Sequence, residues 1–338
     1  MDSKTRVIKA LERKQPDRVP ICEMFINKSI RKKICSKCSY MEFINKVDID
    51  VAVVPWKKQM KNIGNDFYKD DWQVIYKDTG ENGLIEVGFP ISSKSDLLKY
   101  KPPNPQWDNR LKQLQEIVEV FKNEKAIIFS ISDAFSRPRK LIGMENLLLN
   151  YISNPDFINE LVNISLEYTY KLIEEANKIG VDIFVSGDDY ADKNSSLMSP
   201  KHFEKFILQG LTKIVSKVHQ VGSKYIKHTD GNINGIFEML ISSGIDGLHP
   251  IDPNAGMDIL KIKKKYGEKI CLIGNVNCIT TLVEGSPESV KEEVKWLIDK
   301  IGPGGGFMIA SSNSIHNGVK PENFLAMIEA TKLYGGYS

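Results

Sequence analysis

Short apolar runs alternate with longer amphipathic segments along most of the chain, and this alternation predicts the fold. Eight apolar runs have the length and composition of buried strands: Val19–Phe25, Ile49–Val54, Ala126–Ile131, Asp182–Ser186, Lys224–Lys227, Gly247–Pro250, Ile270–Gly274 and Gly306–Ala310. Seven segments repeat apolar residues with the period of a helix: Lys4–Lys14, Leu111–Asn123, Pro155–Ile179, Pro200–Val221, Ile233–Ser243, Pro287–Ile301 and Pro321–Tyr334. Because repeated strand–helix units build parallel sheets, eight of them favour a (β/α)₈ (TIM) barrel.

One stretch departs from this rhythm. Asp70–Tyr76 and Leu84–Val87 flank Gly80 and indicate a β-hairpin inserted between the second and third barrel strands. Lys101–Pro105 follows as a stiff, proline-rich connector. We find no internal repeat and no second domain, so we expect residues 1–338 to form one α/β barrel domain. The first strand is not followed by a Gly-x-Gly-x-x-Gly turn, which disfavours a dinucleotide-binding fold.

Composition excludes several classes of protein. The 46 basic residues are nearly balanced by 43 acidic ones, and the net charge of +3 gives no sign of a nucleic-acid-binding face. No apolar run approaches the roughly 18 residues of a membrane span. The start of the chain at Met1–Lys4 lacks the apolar core of a signal peptide, and five cysteines without a regular framework suggest a reducing compartment. We therefore expect a cytoplasmic protein without nucleic-acid or membrane partners.

Two further motifs resemble functional sites but lack the sequence context that such sites need. Cys35 and Cys38 form a CxxC pair, but no second pair follows at zinc-finger spacing, so we expect an exposed helix or loop. Gly302–Gly306 is rich enough in glycine to cradle a phosphate. It precedes a predicted strand instead of linking a strand to a helix, which favours a turn at the closed end of the barrel.

The end of the fifth predicted strand is the most informative part of the sequence. His228 and Asp230 lie two residues apart, so on an extended strand their side chains point the same way. Active sites of barrel enzymes lie at these strand ends. A histidine–carboxylate pair there can bind a metal, hold a substrate or move a proton. The structural alternative is a histidine bonded to a backbone carbonyl beside an aspartate that starts a turn.

The other strand ends add polar and aromatic groups that would converge on the same mouth. We expect Asp188 and Asp189 to join His228 and Asp230 as catalytic residues, because adjacent carboxylates can separate in pKa and supply an acid or a base. The residues predicted to bind substrate are Glu23, Phe25, Trp56, Tyr190, His249, Asn275 and Asn313. Ser311, Ser312 and Asp252 are more simply interpreted as turn or helix caps.

Several motifs together resemble one enzyme group. They are Ala10-Leu11, Pro16–Pro20, Gly143–Leu147, Gly187–Asp189, Met198–Pro200, His228–Asn232, Ile273–Val276 and Pro303–Phe307. On these residues, which span nearly the whole chain, the sequence resembles the uroporphyrinogen decarboxylase superfamily. That (β/α)₈ group includes the decarboxylase and the corrinoid-dependent methyltransferases.

The decarboxylase branch fits less well. It carries an arginine-rich loop after the first strand that meets the porphyrinogen carboxylates, whereas Pro20–Asn27 contains no arginine and includes Glu23. That branch also has an aspartate after the second strand, where this chain reads Val53–Trp56. A polyanionic substrate would therefore meet a carboxylate where it needs a guanidinium.

The methyltransferase branch fits better, with one departure. Members acting on thiols bind Zn²⁺ through His-x-Cys after the fifth strand and a second cysteine near the last. Here Asp230 replaces the first cysteine, and Ser311–Asn313 occupies the region of the second. The resemblance therefore implies zinc held by His228 and Asp230 with a third ligand, Cys278 foremost and Glu23 or His316 as alternatives.

Oxygen ligands suit activation of a methyl ether better than activation of a thiol. The resemblance thus implies methyl transfer from a methoxylated or N-methylated small molecule to a corrinoid carried by a partner protein. One alternative is a metal-free decarboxylase acting on a small or porphyrin-type carboxylate, with Asp188 and Asp189 as proton donors. A ligand-binding module and a self-associating structural barrel also stay open, as does a homodimer.

Overall fold

The computed structural model describes residues 1–56, 59–80 and 83–337. Its strands are β1 Val51–Val54, β2 Met60–Gly64, β3 Phe67–Asp70, β4 Ile75–Asp78, β5 Leu84–Gly88, β6 Ala126–Ile131, β7 Ile183–Ser186, β8 Lys224–His228, β9 Gly247–His249, β10 Cys271–Ile273 and β11 Phe307–Met308. Its helices are α1 Ser3–Leu11, α2 Lys28–Ile34, α3 Tyr40–Val47, α4 Lys94–Lys99, α5 Arg110–Phe121, α6 Ser136–Ile142, α7 Met144–Ser153, α8 Pro155–Ile179, α9 Pro200–Phe203, α10 Gln209–Gln220, α11 Phe237–Ser242, α12 Ile259–Tyr266, α13 Pro287–Ile301 and α14 Pro321–Tyr334.

A seven-stranded parallel sheet forms the centre of the molecule. Its strands follow chain order, β1-β6-β7-β8-β9-β10-β11, and helices separate them along the chain. Strands β1, β7, β9 and β10 are buried along their whole length, because a parallel sheet of this kind is covered on both faces. All the carboxyl ends therefore lie at one edge, where the strand-end residues meet.

The predicted first strand, Val19–Phe25, does not form a regular strand. Pro20 has no N–H to donate, and the N–H of Ile21 donates to the Asp50 carboxylate (2.8 Å) instead of to a neighbouring strand. The segment still makes backbone bonds on both sides: Cys22 N–H donates to Ile309 O (2.8 Å), and Asp50 N–H donates to Ile21 O (3.1 Å). It thus lies between the two edges of the parallel sheet and bonds to residues that flank β1 and β11.

Asp50 anchors this arrangement. Its fully buried carboxylate accepts hydrogen bonds from Arg6 (2.7 Å) and Arg18 (2.9 Å) besides the amide of Ile21. Helix α1, the 18–21 segment and β1 therefore converge on one buried charge, which is compensated by two guanidinium groups.

The insertion between β1 and β6 is larger than the predicted hairpin. It is a four-stranded antiparallel sheet in the order β2-β3-β4-β5. The stretch predicted as one strand, Asp70–Tyr76, contains a turn, in which Val74 N–H donates to the Asp70 carboxylate (2.9 Å). An ion pair between Glu86 and Arg139 (2.8 Å) ties the inserted sheet to α6.

Helix predictions were most accurate where proline marks the start. Helices α8, α13 and α14 have the predicted bounds. The predicted helix Pro200–Val221 is interrupted by a π-helical turn at Glu204–Leu208, and Ile233–Ser243 shortens to a 3₁₀ turn followed by α11. Among the described residues, no helix combines the length and the apolar composition that crossing a membrane requires.

The CxxC motif and the glycine-rich segment Gly302–Gly306 both lie in turns. The CxxC motif lies in the loop between α2 and α3, as expected, and the sulfurs of Cys35 and Cys38 form a disulfide bond that the spacing alone did not predict. Cys22, Cys271 and Cys278 are free and buried. Gly302–Gly306 forms the predicted turn before β11, where a side chain on Gly305 would collide with the backbone of Lys14.

Candidate functional site

Three potential metal ligands meet at the carboxyl ends of β7 and β8. His228 ends β8, Asp230 follows it, and Asp189 lies on the loop after β7. His228 Nε2 lies 3.6 Å from Asp230 Oδ1 and 3.7 Å from Asp189 Oδ1. One ligand atom from each residue lies within 4.8 Å of the others. We call these three residues the DHD cluster.

A second histidine orients the first. His249, at the end of the neighbouring strand β9, places its Nδ1 2.7 Å from Nδ1 of His228, and the two rings stack. Burial, together with the nearby His228, lowers the pKa of His249 well below its usual value, so its ring is neutral and can accept. If His228 Nδ1 donates this hydrogen bond, His228 Nε2 is left with its lone pair facing the two carboxylates.

One carboxylate oxygen of Asp230 is hydrogen-bonded, and the other is not. Its Oδ2 accepts a short hydrogen bond from the Asn313 side chain, and its N–H donates to Asp189 Oδ1 (3.0 Å). Its Oδ1 is buried and has no hydrogen-bond partner in the described part of the chain. Burial is the main cause that raises the pKa of Asp230 to about 6, against the opposing effect of His228.

The DHD cluster fits a zinc ion by the chemistry of its donors. Two oxygens and one imidazole nitrogen are within the zinc repertoire, and ligand atoms at tetrahedral zinc lie roughly 3.3–3.6 Å apart. The two measured separations from His228 Nε2 are close to this range. The unpartnered oxygen of Asp230 is the atom that a cation would satisfy.

His228 of the cluster lines a cavity of about 320 Å³. His228, Asn313 and Asp188 line one part of it, and Phe25 and Trp56 contribute aromatic surface. Phe25 is 47% exposed, which is unusual for so large an apolar side chain and leaves its ring available to a ligand. Lys140 Nζ lies 3.9 Å from the centre of the Trp56 ring and adds a positive charge.

A buried ion pair lies beneath this cavity. Lys227 and Asp133 are both fully buried and 2.8 Å apart, and Ser186 and Tyr190 also donate hydrogen bonds to Asp133. Lys227 Nζ donates in addition to the backbone oxygen of Asp188 (2.7 Å). The pair therefore fixes the start of the loop that carries Asp189.

Asp188 and Tyr190 also face inward. The Asp188 carboxylate accepts hydrogen bonds from the backbone amides of Asp133 (3.1 Å), Phe135 (3.3 Å) and Ser136 (2.9 Å). Burial opposes its ionisation, but a hydrogen bond with the Asp133 side chain, the charge of Lys227 and the amide of Ser136 outweigh burial and hold the pKa of Asp188 below its usual range. Tyr190 is fully buried, and its hydroxyl is engaged by Asp133.

The remaining predicted site residues lie around the DHD cluster without joining it. Glu23 is buried, and its carboxylate accepts from the amide (2.8 Å) and the hydroxyl (3.1 Å) of Ser311. Asn275 donates to the backbone oxygen of Ile251 (2.7 Å). Neither Cys278, whose thiol pKa is raised by burial, nor His316, bonded to the Cys278 carbonyl (3.0 Å), is among the three clustered ligands. Asp189 occupies the third position instead.

Comparison with protein families assigns most of the chain to one family. Residues 73–334 match the model of the family described as uroporphyrinogen decarboxylase (URO-D). The chain belongs to this family. Since the match covers most of the parallel sheet and the whole DHD cluster, the cluster is part of the family domain.

Individual relatives come from two branches of this family. The chain is 24% identical over 230 residues to the methylcobamide:CoM methyltransferase MtaA of Methanosarcina barkeri, covering 67% of this chain and 65% of that protein. It is 25% identical over 276 residues to the uroporphyrinogen decarboxylase of Pseudoalteromonas translucida, covering 76% of this chain and 72% of that one. The chain thus spans slightly less than two thirds of the methyltransferase.

Solved structures support the fold. A methyltransferase from Methanosarcina mazei superimposes with a TM-score of 0.77 at 19% identity, over 99% of both chains. A B12-independent methionine synthase from Shewanella sp. W3-18-1 gives a TM-score of 0.58 at 9% identity, over 95% of this chain and 94% of that one. At these identities the likeness concerns the architecture alone.

Sequence reasoning missed the buried lysine of the site. The predicted strand Lys224–Lys227 ends at this residue, which stands between the apolar Ile226 and the candidate ligand His228. A lysine inside a buried strand has to be paired. That rule was the available signal, and the partner in the structure is Asp133, which follows β6, two strands away from β8 in the sheet.

Proposed function

We propose that this protein is a methyltransferase that moves a methyl group from a small methoxylated or N-methylated compound to a corrinoid carried by a partner protein. The observation that carries the proposal is the DHD cluster, in which two carboxylates and an oriented imidazole face one point beside an aromatic-walled cavity. The relationship to a methylcobamide methyltransferase supports the reaction class.

Asp189, His228 and Asp230 would hold Zn²⁺. A zinc ion bound there supplies Lewis acidity that stabilises negative charge on the atom losing its methyl group. His249 keeps the donor nitrogen of His228 directed at the cluster. Asn313 holds Asp230 by one carboxylate oxygen and leaves the other oxygen free to bind.

The cavity wall would position the substrate. Phe25 and Trp56 provide flat apolar surface against which a methoxylated ring can pack. Ser132 and Ser314, which also line the cavity, offer hydroxyl groups to polar substituents. Since His228 borders the same space, a substrate packed on these rings lies beside the DHD cluster.

Decarboxylation is the weaker candidate. It assigns proton donation to Asp188 and Asp189, but Asp188 is engaged by three backbone amides that favour its ionised form. We assign Asp188 instead to positioning the loop after β7. The segment after Pro20 also lacks the arginines that a polyanionic porphyrinogen would need.

The proposal includes a complete (β/α)₈ barrel. The segment around Ile21 would act as the eighth strand, because it bonds to residues flanking both edge strands of the parallel sheet. Closure at this point places Glu23 and Phe25 at the same mouth as the DHD cluster.

The reaction can be tested with free cobalamin in place of the partner protein. Purified enzyme is incubated with reduced cob(I)alamin and a panel of methoxylated aromatic acids and N-methylated amines, and formation of methylcobalamin is followed by its absorbance. We expect at least one donor to react and both His228→Ala and Asp230→Asn to lower the rate about a hundredfold or more.

Asp258→Asn is the matched control, because Asp258 is an exposed acid that caps α12 through the amide of Lys261. It should retain the wild-type rate. Full activity in both His228→Ala and Asp230→Asn would overturn the proposal, and so would release of CO₂ from a substrate acid without methyl transfer.

A further inference from the structure

A second cavity lies between the inserted segment, the connector at residues 102–108 and helices α5, α6 and α8. It encloses about 470 Å³, more than the cavity beside the DHD cluster, and Trp56 is the residue that borders both. Its wall includes Trp72, Trp107 and Tyr168, and charged side chains reach it from three elements. Nothing in the proposed methyl transfer uses this space.

Arg137 is the unusual residue of this cavity. It lies on α6 and is only 5% exposed, and its guanidinium carbon stacks 3.7 Å from the centre of the Trp72 ring. In the part of the chain that the structure describes, no carboxylate forms an ion pair with it. Burial is the main cause that lowers the pKa of Arg137, and it outweighs the opposing effects of Tyr168 and Asp70. A buried guanidinium of this kind is normally paired with an anion.

The neighbouring acids make their hydrogen bonds to other groups. Asp108 is bound by Arg110 (2.6 Å) and Tyr168 (3.1 Å). Asp70 accepts from the amide of Val74 (2.9 Å) and from the Tyr76 hydroxyl (3.0 Å). Asp70 attracts the charge of Arg137 without forming an ion pair with it among the described residues, and the Arg137 side chain lines the cavity.

One carboxylate of the cavity wall also has no ion-pair partner among the described residues. Asp71 lines the cavity, is exposed, and forms no ion pair with a described residue. Partial burial and the charges of Asp70 and Asp108 raise the pKa of Asp71, so a cation beside it would relieve repulsion. Trp107 lies at the same cavity and is 77% exposed, which leaves its ring free to contact a cation.

We propose that this cavity binds a small zwitterion of the N-methylated amino acid class. Its carboxylate pairs with the guanidinium of Arg137, and its methylated ammonium group lies against Asp71 and the ring of Trp107. An anion alone would leave Asp71 unmatched, and a cation alone would leave Arg137 unmatched, whereas a zwitterion satisfies both. The inference concerns binding and does not depend on methyl transfer at the DHD cluster.

Calorimetric titration of the purified full-length protein tests this assignment. The probes are trimethylglycine, which carries both charges, and acetate and tetramethylammonium, which carry one each. We expect trimethylglycine to bind, and each half-ligand to bind about tenfold more weakly or worse. Arg137→Gln and Asp71→Asn should each weaken trimethylglycine binding about tenfold, and only Arg137→Gln should further weaken acetate.

The controls separate this site from folding and from the proposed activity. Asp66→Asn changes an exposed acid in the turn between β2 and β3 and should leave binding unchanged. His228→Ala should bind trimethylglycine as the wild type does, whatever its effect on methyl transfer. If Arg137→Gln does not fold, the trimethylglycine affinity of Asp71→Asn and of Trp107→Ala, which change exposed residues at the rim of the cavity, tests the proposal in its place. Binding of acetate as tight as that of trimethylglycine, wild-type affinity in the variants, or no binding to the wild type would each overturn the proposal.

Discussion

At the residue scale, the contact between His228 and His249 decides what the site can bind. The 2.7 Å separation of the two Nδ1 atoms requires one ring to donate and the other to accept. Burial keeps His249 neutral, and in the tautomer pair in which His249 accepts and His228 donates, Nε2 of His228 keeps its lone pair for a ligand role. Histidine ligands are commonly fixed in this way by a second group behind them.

Replacing His249 with phenylalanine should therefore weaken metal binding without removing a ligand. We expect His249→Phe to lower zinc affinity about 10- to 100-fold, measured by competition with a chromophoric chelator. His202→Phe is the matched control, because that histidine lies on α9 against Tyr151 and Phe206, away from the site. Equal zinc affinity in His249→Phe and the wild type would show that His249 does not orient His228.

Glu23 gives a second residue-scale prediction, on stability. Burial raises the pKa of Glu23 to about 7, against the hydrogen bonds from Ser311. A carboxyl group with a raised folded-state pKa stabilises the protein at low pH, and this contribution is lost as the pH rises through about 7. Between pH 5 and pH 8 the wild type should therefore lose roughly 2–3 kcal/mol of unfolding free energy relative to Glu23→Gln.

Urea denaturation of both proteins at the two pH values measures this difference. Glutamine can keep both contacts to Ser311, since its oxygen can accept from the amide and its nitrogen can donate to the hydroxyl. A constant gap in unfolding free energy between Glu23→Gln and the wild type across this range would contradict the prediction.

At the element scale, β8 carries two functions on adjacent residues that point to opposite faces. His228 points to the mouth, while Lys227 points to the buried Asp133 and to the backbone of the loop after β7. The period-two alternation of a strand makes this division possible. The element that presents the histidine therefore also holds the loop that presents Asp189.

Breaking the buried pair should destabilise the fold strongly. Lys227→Met leaves the Asp133 carboxylate buried without its cation, and we expect a loss of about 3–5 kcal/mol in the free energy of unfolding. The double variant Lys227→Met, Asp133→Asn should lose less than the sum of the two single losses, because it removes both charges. Urea denaturation measures all three variants.

Lys224→Met provides the comparison on the same strand, because Lys224 is partly exposed and forms only long ion pairs of 3.7 and 3.8 Å. It should change the free energy of unfolding by less than about 1 kcal/mol. Similar losses in Lys224→Met and Lys227→Met would remove the reason to treat the buried pair as a structural anchor.

Elements with a buried face were the ones that the sequence predicted well. Helices α8, α13 and α14 have clear apolar periodicity and a proline at the start, and their predicted bounds were right. Strands β2 and β3 were missed because most of their residues are exposed or half-buried, so no alternation is visible. The segment from Val19 was predicted as a full strand because the effects of Pro20 and of the distant Asp50 do not show in local hydrophobicity.

At the scale of the whole molecule, the parallel sheet explains why a site could be predicted at all. Since its strands run the same way, residues that follow different strands must meet at one edge. This rule brought His228, Asp230 and Asn313 together correctly. It could not choose between Cys278 and Asp189 beside them, because that choice depends on loop geometry, nor could it show that Arg137 is buried without a partner.

The central claim is that the DHD cluster binds a metal, and metal analysis of the purified protein tests it most directly. Zinc should be bound in a one-to-one ratio by the wild type and by Asp258→Asn after removal of loosely bound ions, and lost in His228→Ala and Asp230→Ala. A wild-type protein that takes up no zinc when the metal is supplied, or His228→Ala and Asp230→Ala variants that keep their zinc, would contradict the account.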